Sequence, residues 1–290
     1  MNPATLFLPL AAAGLLALGV TTIHRRLPPA LAARVVALTL LVVIAAAVPT
    51  LWIVSMGFVG HVSFLGSGLQ WCAHAVGVHH EVPALVGVPA TAMVAYGTLR
   101  AIGVLRSFLR LRQDRGTIDI AHDERAFAYT LPGRGGHVVV STGLVDLLDD
   151  AEFDVVMAHE AAHGRYRHDR YLLVARVVSA SIPMLRPLTS RLEFSLERWA
   201  DEYAAGLHGD RGFVAQTLGK VALSGMAPVG VLSFAGLGVV ARVEALLRPP
   251  VDEPGNPLLL ATILGIVATG VLATFQLHHL GTLLTALCPG

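Results

Sequence analysis

Hydrophobic positions follow two different patterns along this chain. Near both ends they run almost without interruption, whereas between about Ser107 and Pro250 they alternate with polar residues or recur at helical spacing. Crossing a bilayer as a helix takes about 20 predominantly apolar residues. Ala4 to Thr22, Val35 to Met56 and Pro257 to Leu277 meet that length, and Pro83 to Leu105 is nearly as apolar. Arg100 lies near the end of that last stretch, where a long side chain can reach the headgroups. The pattern therefore predicts about four transmembrane helices. The first has no positively charged segment before it and no small-residue cleavage pattern after it, so it reads as a retained anchor.

The middle region reads differently. Ile118 and Ile120 alternate with polar neighbours, Ala126 to Thr130 is strand-like, and Leu131-Pro132-Gly133-Arg134-Gly135-Gly136 is a turn leading into His137 to Ser141. A small antiparallel sheet is expected. Thr142 to Leu148 suits a short helix, and Asp149-Asp150 offers an N-cap for a second, with Glu152 and Asp154 in its dipole-favoured first turn. Tyr171 to Leu188 is apolar but holds Arg176, Arg186, Pro183 and Pro187, which suits a buried or membrane-contacting helix pair better than a span. The fold class is thus a mainly α membrane protein carrying a cytoplasmic α+β region. Its segments are 1–106 with three spans, 107–250 as the polar region, and 251–290 with the fourth span and a short tail.

Composition sharpens this picture. With 54% hydrophobic and 14% charged residues and a mean hydropathy of +0.64, the chain is too apolar for an ordinary soluble protein, and contact with the lipid bilayer is expected. A net charge of +1 with Lys220 as the single lysine leaves no nucleic-acid footprint. Arginines set the orientation: Arg25, Arg26 and Arg34 lie between the first two spans, and Arg106, Arg110, Arg112 and Arg115 follow the third. Short arginine-rich loops tend to stay cytoplasmic, so both termini lie outside and the polar region faces the cytoplasm of a multi-pass cell-membrane protein. Cys72 and Cys288 then share the outer face, more simply as two thiols than as a disulfide. His61, His74, His79 and His80 in the outer loop lack the regular spacing of a metal site.

The chemistry is concentrated in Ala158-His159-Glu160-Ala161-Ala162-His163. Residues four apart lie on one helical face, so both imidazoles can reach one ion, while Glu160, about 100° around the helix, can act on a water beside it. A catalytic zinc generally has three protein ligands and an open position. The third must come from elsewhere, and Glu193, Glu197 and Asp201 fall on one face at steps of four. On spacing alone, these acids serve equally well as a solvated face paired with Arg191 or Arg198.

With these motifs in view, the chain resembles the integral-membrane gluzincin peptidases, which include the HtpX proteases, the CAAX prenyl proteases and the BlaR/MecR antirepressor peptidases. The likeness runs from about Ala128 to Lys220 through Gly135 to Leu144, His159 to His163, Glu197 to Asp201 and Gly209-Asp210-Arg211. It implies a zincin-like metallopeptidase with one Zn2+ per chain, His159, His163 and Glu197 as ligands, Glu160 as general base, and Asp201 orienting a ligand histidine. The arrangement of spans is most similar to the BlaR/MecR branch, but after the last span only a short tail follows, so no penicillin-binding sensor is implied. The expected activity is endopeptidase cleavage of a protein or peptide substrate, in regulatory proteolysis in preference to quality control or an inactive scaffold. Substrate is expected to lie along an edge strand formed by Val138, Val139 and Val140. His122 and His168 are assigned no catalytic role, and His168, in an arginine-rich stretch, is expected on a basic surface near the membrane. Tyr203, His208 and Arg211 are weak candidates for oxyanion stabilisation.

Overall fold

The computed structural model describes residues 3–59, 82–112, 117–134, 136–224, 232–251 and 257–285. Helices α1 (Pro3–Ile23) and α2 (Pro29–Val59) each open on proline, whose fixed φ and missing N–H suit a first helical turn. A 3-10 turn, His24–Arg26, joins them. Next comes α3 (Ala84–Leu111). These three are long and apolar enough to cross a membrane. The last helix, α10 (Pro257–Thr285), packs back on α1 and α2; over the part whose side chains are described, Leu259–Phe275, it is apolar but shorter. Cys72, Cys288, Arg115 and the outer-loop histidines His61, His74, His79 and His80 lie outside the described residues.

The polar region begins with β1 (Ile118–Ala121), β2 (Ala128–Leu131) and β3 (His137–Ser141). Their order is β1-β3-β2. β2 runs antiparallel to β3, with Ala128 opposite Val140, but β1 runs parallel to it, with Ile118 opposite Val138. The sheet is therefore mixed, not antiparallel. The reason lies in the connection from β1 to β2, which passes over the C-terminal end of β3. Thr142 Oγ1 donates to Asp123 O at 3.0 Å, Gly143 N to the same oxygen at 2.9 Å, and Ser141 Oγ accepts from Phe127 N at 2.9 Å. Gly143 makes the crossing possible, since a Cβ there would lie 2.1 Å from Glu124 O.

Ser141 also caps the short helix α4 (Thr142–Leu147) by accepting from Leu144 N. Helix α5 (Asp150–Arg165) starts at a capping box in which Asp149 accepts from Glu152 N at 2.9 Å and Glu152 accepts from Asp149 N at 3.1 Å. The hairpin turn after β2 packs against the last turn of α5 through glycine on both sides. Gly136 has φ +65°, and a Cβ on Gly164 would sit 2.8 Å from Gly136 Cα. This close approach sets β2 beside α5.

After α5, Arg167 takes a left-handed φ of 55° and reverses the chain into α6 (His168–Ser181). A 3-10 turn, Pro183–Leu185, leads into α7 (Arg186–His208), followed by α8 (Arg211–Ser224) and α9 (Leu232–Leu247). One apolar core joins the first two long apolar helices to the later helices: Val20, Leu27, Val36 and Leu40 pack in the same cluster as Ala175, Val178, Leu192, Leu196 and Trp199. Burying each such large apolar side chain is worth about 1.5–3 kcal/mol where the alternative is water. Helix α7 is thereby fixed against α2, and the face it turns toward α5 is fixed with it.

Candidate metal centre

Helix α5 stacks His159 and His163 one turn apart with their Nε2 atoms 3.1 Å from each other. From α7, Glu197 presents Oε2 3.5 Å from His159 Nε2 and Oε1 3.5 Å from His163 Nε2. Ligand atoms of the three residues all lie within 4.8 Å of one another. Two imidazole nitrogens and one carboxylate oxygen converging on a point with an open side form the donor set that suits a catalytic zinc. The residues present fit that ion.

Other groups hold these donors from behind. Asp201, only 2% exposed, sets Oδ1 3.0 Å from His159 Nδ1. Arg242 of α9 donates to both oxygens of Asp201, Nε to Oδ2 at 2.8 Å and Nη2 to Oδ1 at 2.7 Å, and its Nη1 lies 2.9 Å from Glu197 Oε2. Behind His163, the Nδ1 of His168 lies 3.0 Å from His163 Nδ1. Glu160, 7% exposed, accepts a hydrogen bond at Oε2 from Thr130 Oγ1 on β2 at 2.7 Å. The same hydroxyl lies 3.0 Å from the Glu160 carbonyl oxygen.

The electrostatics favour positive charge at the point of convergence. Burial opposes charge on His159, but hydrogen bonds and charges from Asp201 and Glu197 outweigh it and push its pKa up to about 10. Burial also works against ionised Glu197 and Asp201, yet His159 and Arg242 hold both well below the usual carboxylate range. Burial lowers His163, and it pushes His168 down to about 3.

A cleft of about 500 Å³ opens onto these residues, walled by Ala128 to Gly133 on one side and by His159, Glu160, His163 and Glu197 on the other. A second cleft of about 510 Å³ along α3 shares Phe108, Leu111 and Arg176 with it.

The structure corrects several expectations about the site. β3 lies between β1 and β2 with both edges paired, so Val138, Val139 and Val140 have no free backbone edge to offer a substrate. Val138 and Val140 are buried in the core beneath the sheet. Among the described residues the unpaired edge facing the cleft is that of β2. His168 is not on a basic surface but fully buried behind His163. Nor does Arg211 face the site, being bound to Glu202 and to the carbonyls of Ala245, Leu246 and Arg248. Tyr203 packs edge-on against Tyr166. Arg242 escaped the sequence reading altogether, although an arginine set between Val239, Val240, Ala241 and Val243 signals a buried charge in need of a partner.

Residues 111–190 match the family model for Peptidase family M48. The plastoglobule-localized metallopeptidase 48, chloroplastic, of Arabidopsis thaliana is 32% identical over 78 residues. That alignment covers 26% of this chain and 23% of the relative, so the chain spans about a quarter of the relative it matches. No solved structure matches the chain. The family match supports metallopeptidase chemistry and contains His159, Glu160 and His163. It ends before Glu197, Asp201 and Arg242, whose places in the centre rest on the geometry described above. These matches do not distinguish a BlaR/MecR branch.

Proposed function

We propose that this chain is a membrane-anchored zinc endopeptidase, with His159, His163 and Glu197 as ligands, Glu160 as general base and Asp201 holding His159. The observation that carries the reading is the convergence of three donors from two helices beside a buried carboxylate, at the wall of an open cleft. Zinc held there would supply Lewis acidity, polarising the scissile carbonyl and lowering the pKa of water toward about 7. The chain's own residues do the rest. Glu160 takes the proton from the attacking water and returns it to the leaving amine, and Thr130 aims the carboxylate that does so. Arg242 keeps Glu197 and Asp201 ionised and fixed. A peptide in extended form adds to the free edge of β2 through main-chain hydrogen bonds, which carries it past Glu160 and favours flexible segments of protein substrates. A purely structural zinc has no need of a base beside its ligands and closes its fourth position; neither description suits this site.

The catalytic region is proposed to face the cytoplasm of a multi-pass cell-membrane protein. Support comes from the arginine-rich end of the bundle, which touches the site helix directly: Arg25 lies 5.7 Å from the Phe194 ring and Arg34 5.2 Å from the Trp199 ring. The placement of spans before and after the peptidase region supports cleavage of a regulatory protein partner, as in the antirepressor peptidases that the chain resembles. The test is hydrolysis of an unfolded protein such as casein by zinc-loaded protein in detergent. Glu160→Gln should keep its zinc and lose about 10²–10⁴-fold in rate. Equal rates in the two proteins would refute the assignment of the base.

A further inference from the structure

The two imidazoles aimed at the metal position are backed by different chemistry. His159 has a carboxylate behind it, Asp201. His163 has a second imidazole, that of His168, with the two Nδ1 atoms 3.0 Å apart. The rings of His163 and His168 meet edge to face, at 85° between planes and 4.8 Å between centroids, so one Nδ1 points at the other. His168 is fully buried, and its Nε2 has no hydrogen-bond partner.

Proton bookkeeping fixes what each nitrogen does. A neutral imidazole carries one N–H and one lone pair, and only one hydrogen can lie between two Nδ1 atoms. His163 Nε2 faces His159 Nε2 and Glu197 Oε1; its lone pair must be free there to bind an ion, so the hydrogen of His163 sits on Nδ1. That N–H donates to His168 Nδ1, which is then an acceptor, and the hydrogen of His168 sits on Nε2. The surroundings of Nε2 agree. The His168 ring lies 4.9 Å from Trp199, 6.1 Å from Tyr166 and, edge to face, 6.4 Å from Tyr171. The electron-rich faces of aromatic rings tolerate an N–H far better than a buried lone pair. In the opposite arrangement His168 Nδ1–H donates, His163 carries its hydrogen at the metal position, and a lone pair is left buried among rings, so both ends are wrong.

The backbone is shaped to deliver this contact. His168 follows His163 by five residues, a spacing that a continuing helix would carry to another face. The left-handed turn at Arg167 breaks α5 and brings the first residue of α6 back under His163. The turn is anchored by the pair of Arg167 with Asp169, which also accepts from Gly133 N at 3.3 Å.

We propose that His168 is a positioning residue for the metal centre: a buried neutral imidazole whose Nδ1 accepts from His163 Nδ1–H and fixes the tautomer that presents His163 Nε2 to the ion. Groups that orient a ligand histidine in this way typically contribute 10–100-fold to metal affinity. This inference rests on the zinc-centre reading above and extends it to a residue outside the ligand set.

The experiment compares zinc affinity, by competition with a chromogenic chelator, in detergent-purified wild type, His168→Leu and His168→Asn, with unfolding of the metal-free proteins followed alongside. Asparagine keeps an acceptor oxygen near the place of Nδ1, whereas leucine keeps bulk without an acceptor. Both lose the ring, so both should lower the unfolding temperature of the metal-free protein to a similar degree. Only the leucine variant should lose about 10–100-fold in zinc affinity, with asparagine restoring most of it. Equal affinity in leucine variant and wild type, or equal loss in both variants, would overturn the inference while leaving the zinc centre standing. A wild type that binds no zinc would overturn the zinc centre and this inference together. Nitrogen NMR of histidine-labelled wild type needs no variant to fold: His168 should be neutral with its hydrogen on Nε2, and a hydrogen on Nδ1 would overturn the assignment.

Discussion

Replacing Arg242 with methionine keeps most of the volume of the side chain and removes the cation that Asp201 and Glu197 share. The guanidinium makes two hydrogen bonds to Asp201, at 2.8 and 2.7 Å, and approaches Glu197 to 2.9 Å. Deleting one partner of a buried ion pair costs about 3–5 kcal/mol because the other charge is left uncompensated. Here the cost falls mainly on Asp201, whose side chain is 3% exposed, because that of Glu197 is 37% exposed and water partly replaces its lost partner. The lower end, about 3 kcal/mol, is therefore expected. At roughly 2–4 °C per kcal/mol for a region of this size, metal-free Arg242→Met should unfold about 6–12 °C below wild type. Zinc should restore part of the loss, because the ion supplies positive charge beside the same carboxylates. The assay is thermal unfolding in detergent of both proteins, metal-free and zinc-loaded. A metal-free variant that unfolds at the wild-type temperature would refute the claim that Arg242 holds the site together.

Three further outcomes follow from the same geometry. Thr130→Val removes the hydroxyl that aims Glu160; a hydrogen bond to a charged group is worth about 1.5–3 kcal/mol, so kcat should fall about 10–100-fold with zinc content unchanged, and an unaltered kcat would show that Thr130 plays no part in orienting the base. Gly164→Ala places a methyl 2.8 Å from Gly136 Cα and should destabilise the protein by about 1–3 kcal/mol, read as a lower denaturant midpoint; no change would mean that the hairpin does not rest on α5. His159, held at about 10 against a free value of 6.5, binds its proton more tightly in the folded state. Its contribution to the stability of the metal-free protein is full below about pH 6.5 and is lost as pH rises through 10. Zinc must displace that proton, so zinc affinity should rise with pH between these values, and a flat profile would contradict the assignment.

What could be read from the sequence was what depends on neighbours along the chain. The HExxH face of α5 and its start at Asp149 and Glu152 follow from local spacing and capping, and Glu197 and Asp201 share a face because both lie on α7. Strand order is different in kind. Alternation at Ile118 and Ile120 and the run Val138-Val139-Val140 mark strands, but marking a strand does not by itself give its neighbours, which packing decides. A continuous apolar run is the usual mark of an interior strand, and that signal favoured the arrangement found over an edge position for β3. Arg242 lies 41 residues from Asp201, so its contact is tertiary and no periodicity could reveal it. His168 looked like part of a surface because its neighbours Arg165, Arg167 and Arg170 are charged; the left-handed turn at Arg167, invisible in composition, carries it inward.

The most direct test of the zinc centre is the metal content of the detergent-purified protein beside Glu197→Ala and His163→Ala. About one zinc per chain in the wild type, lost in both variants while the helical fold is kept, is the predicted result. A folded wild type that takes up no stoichiometric zinc when it is supplied would contradict the account at its centre.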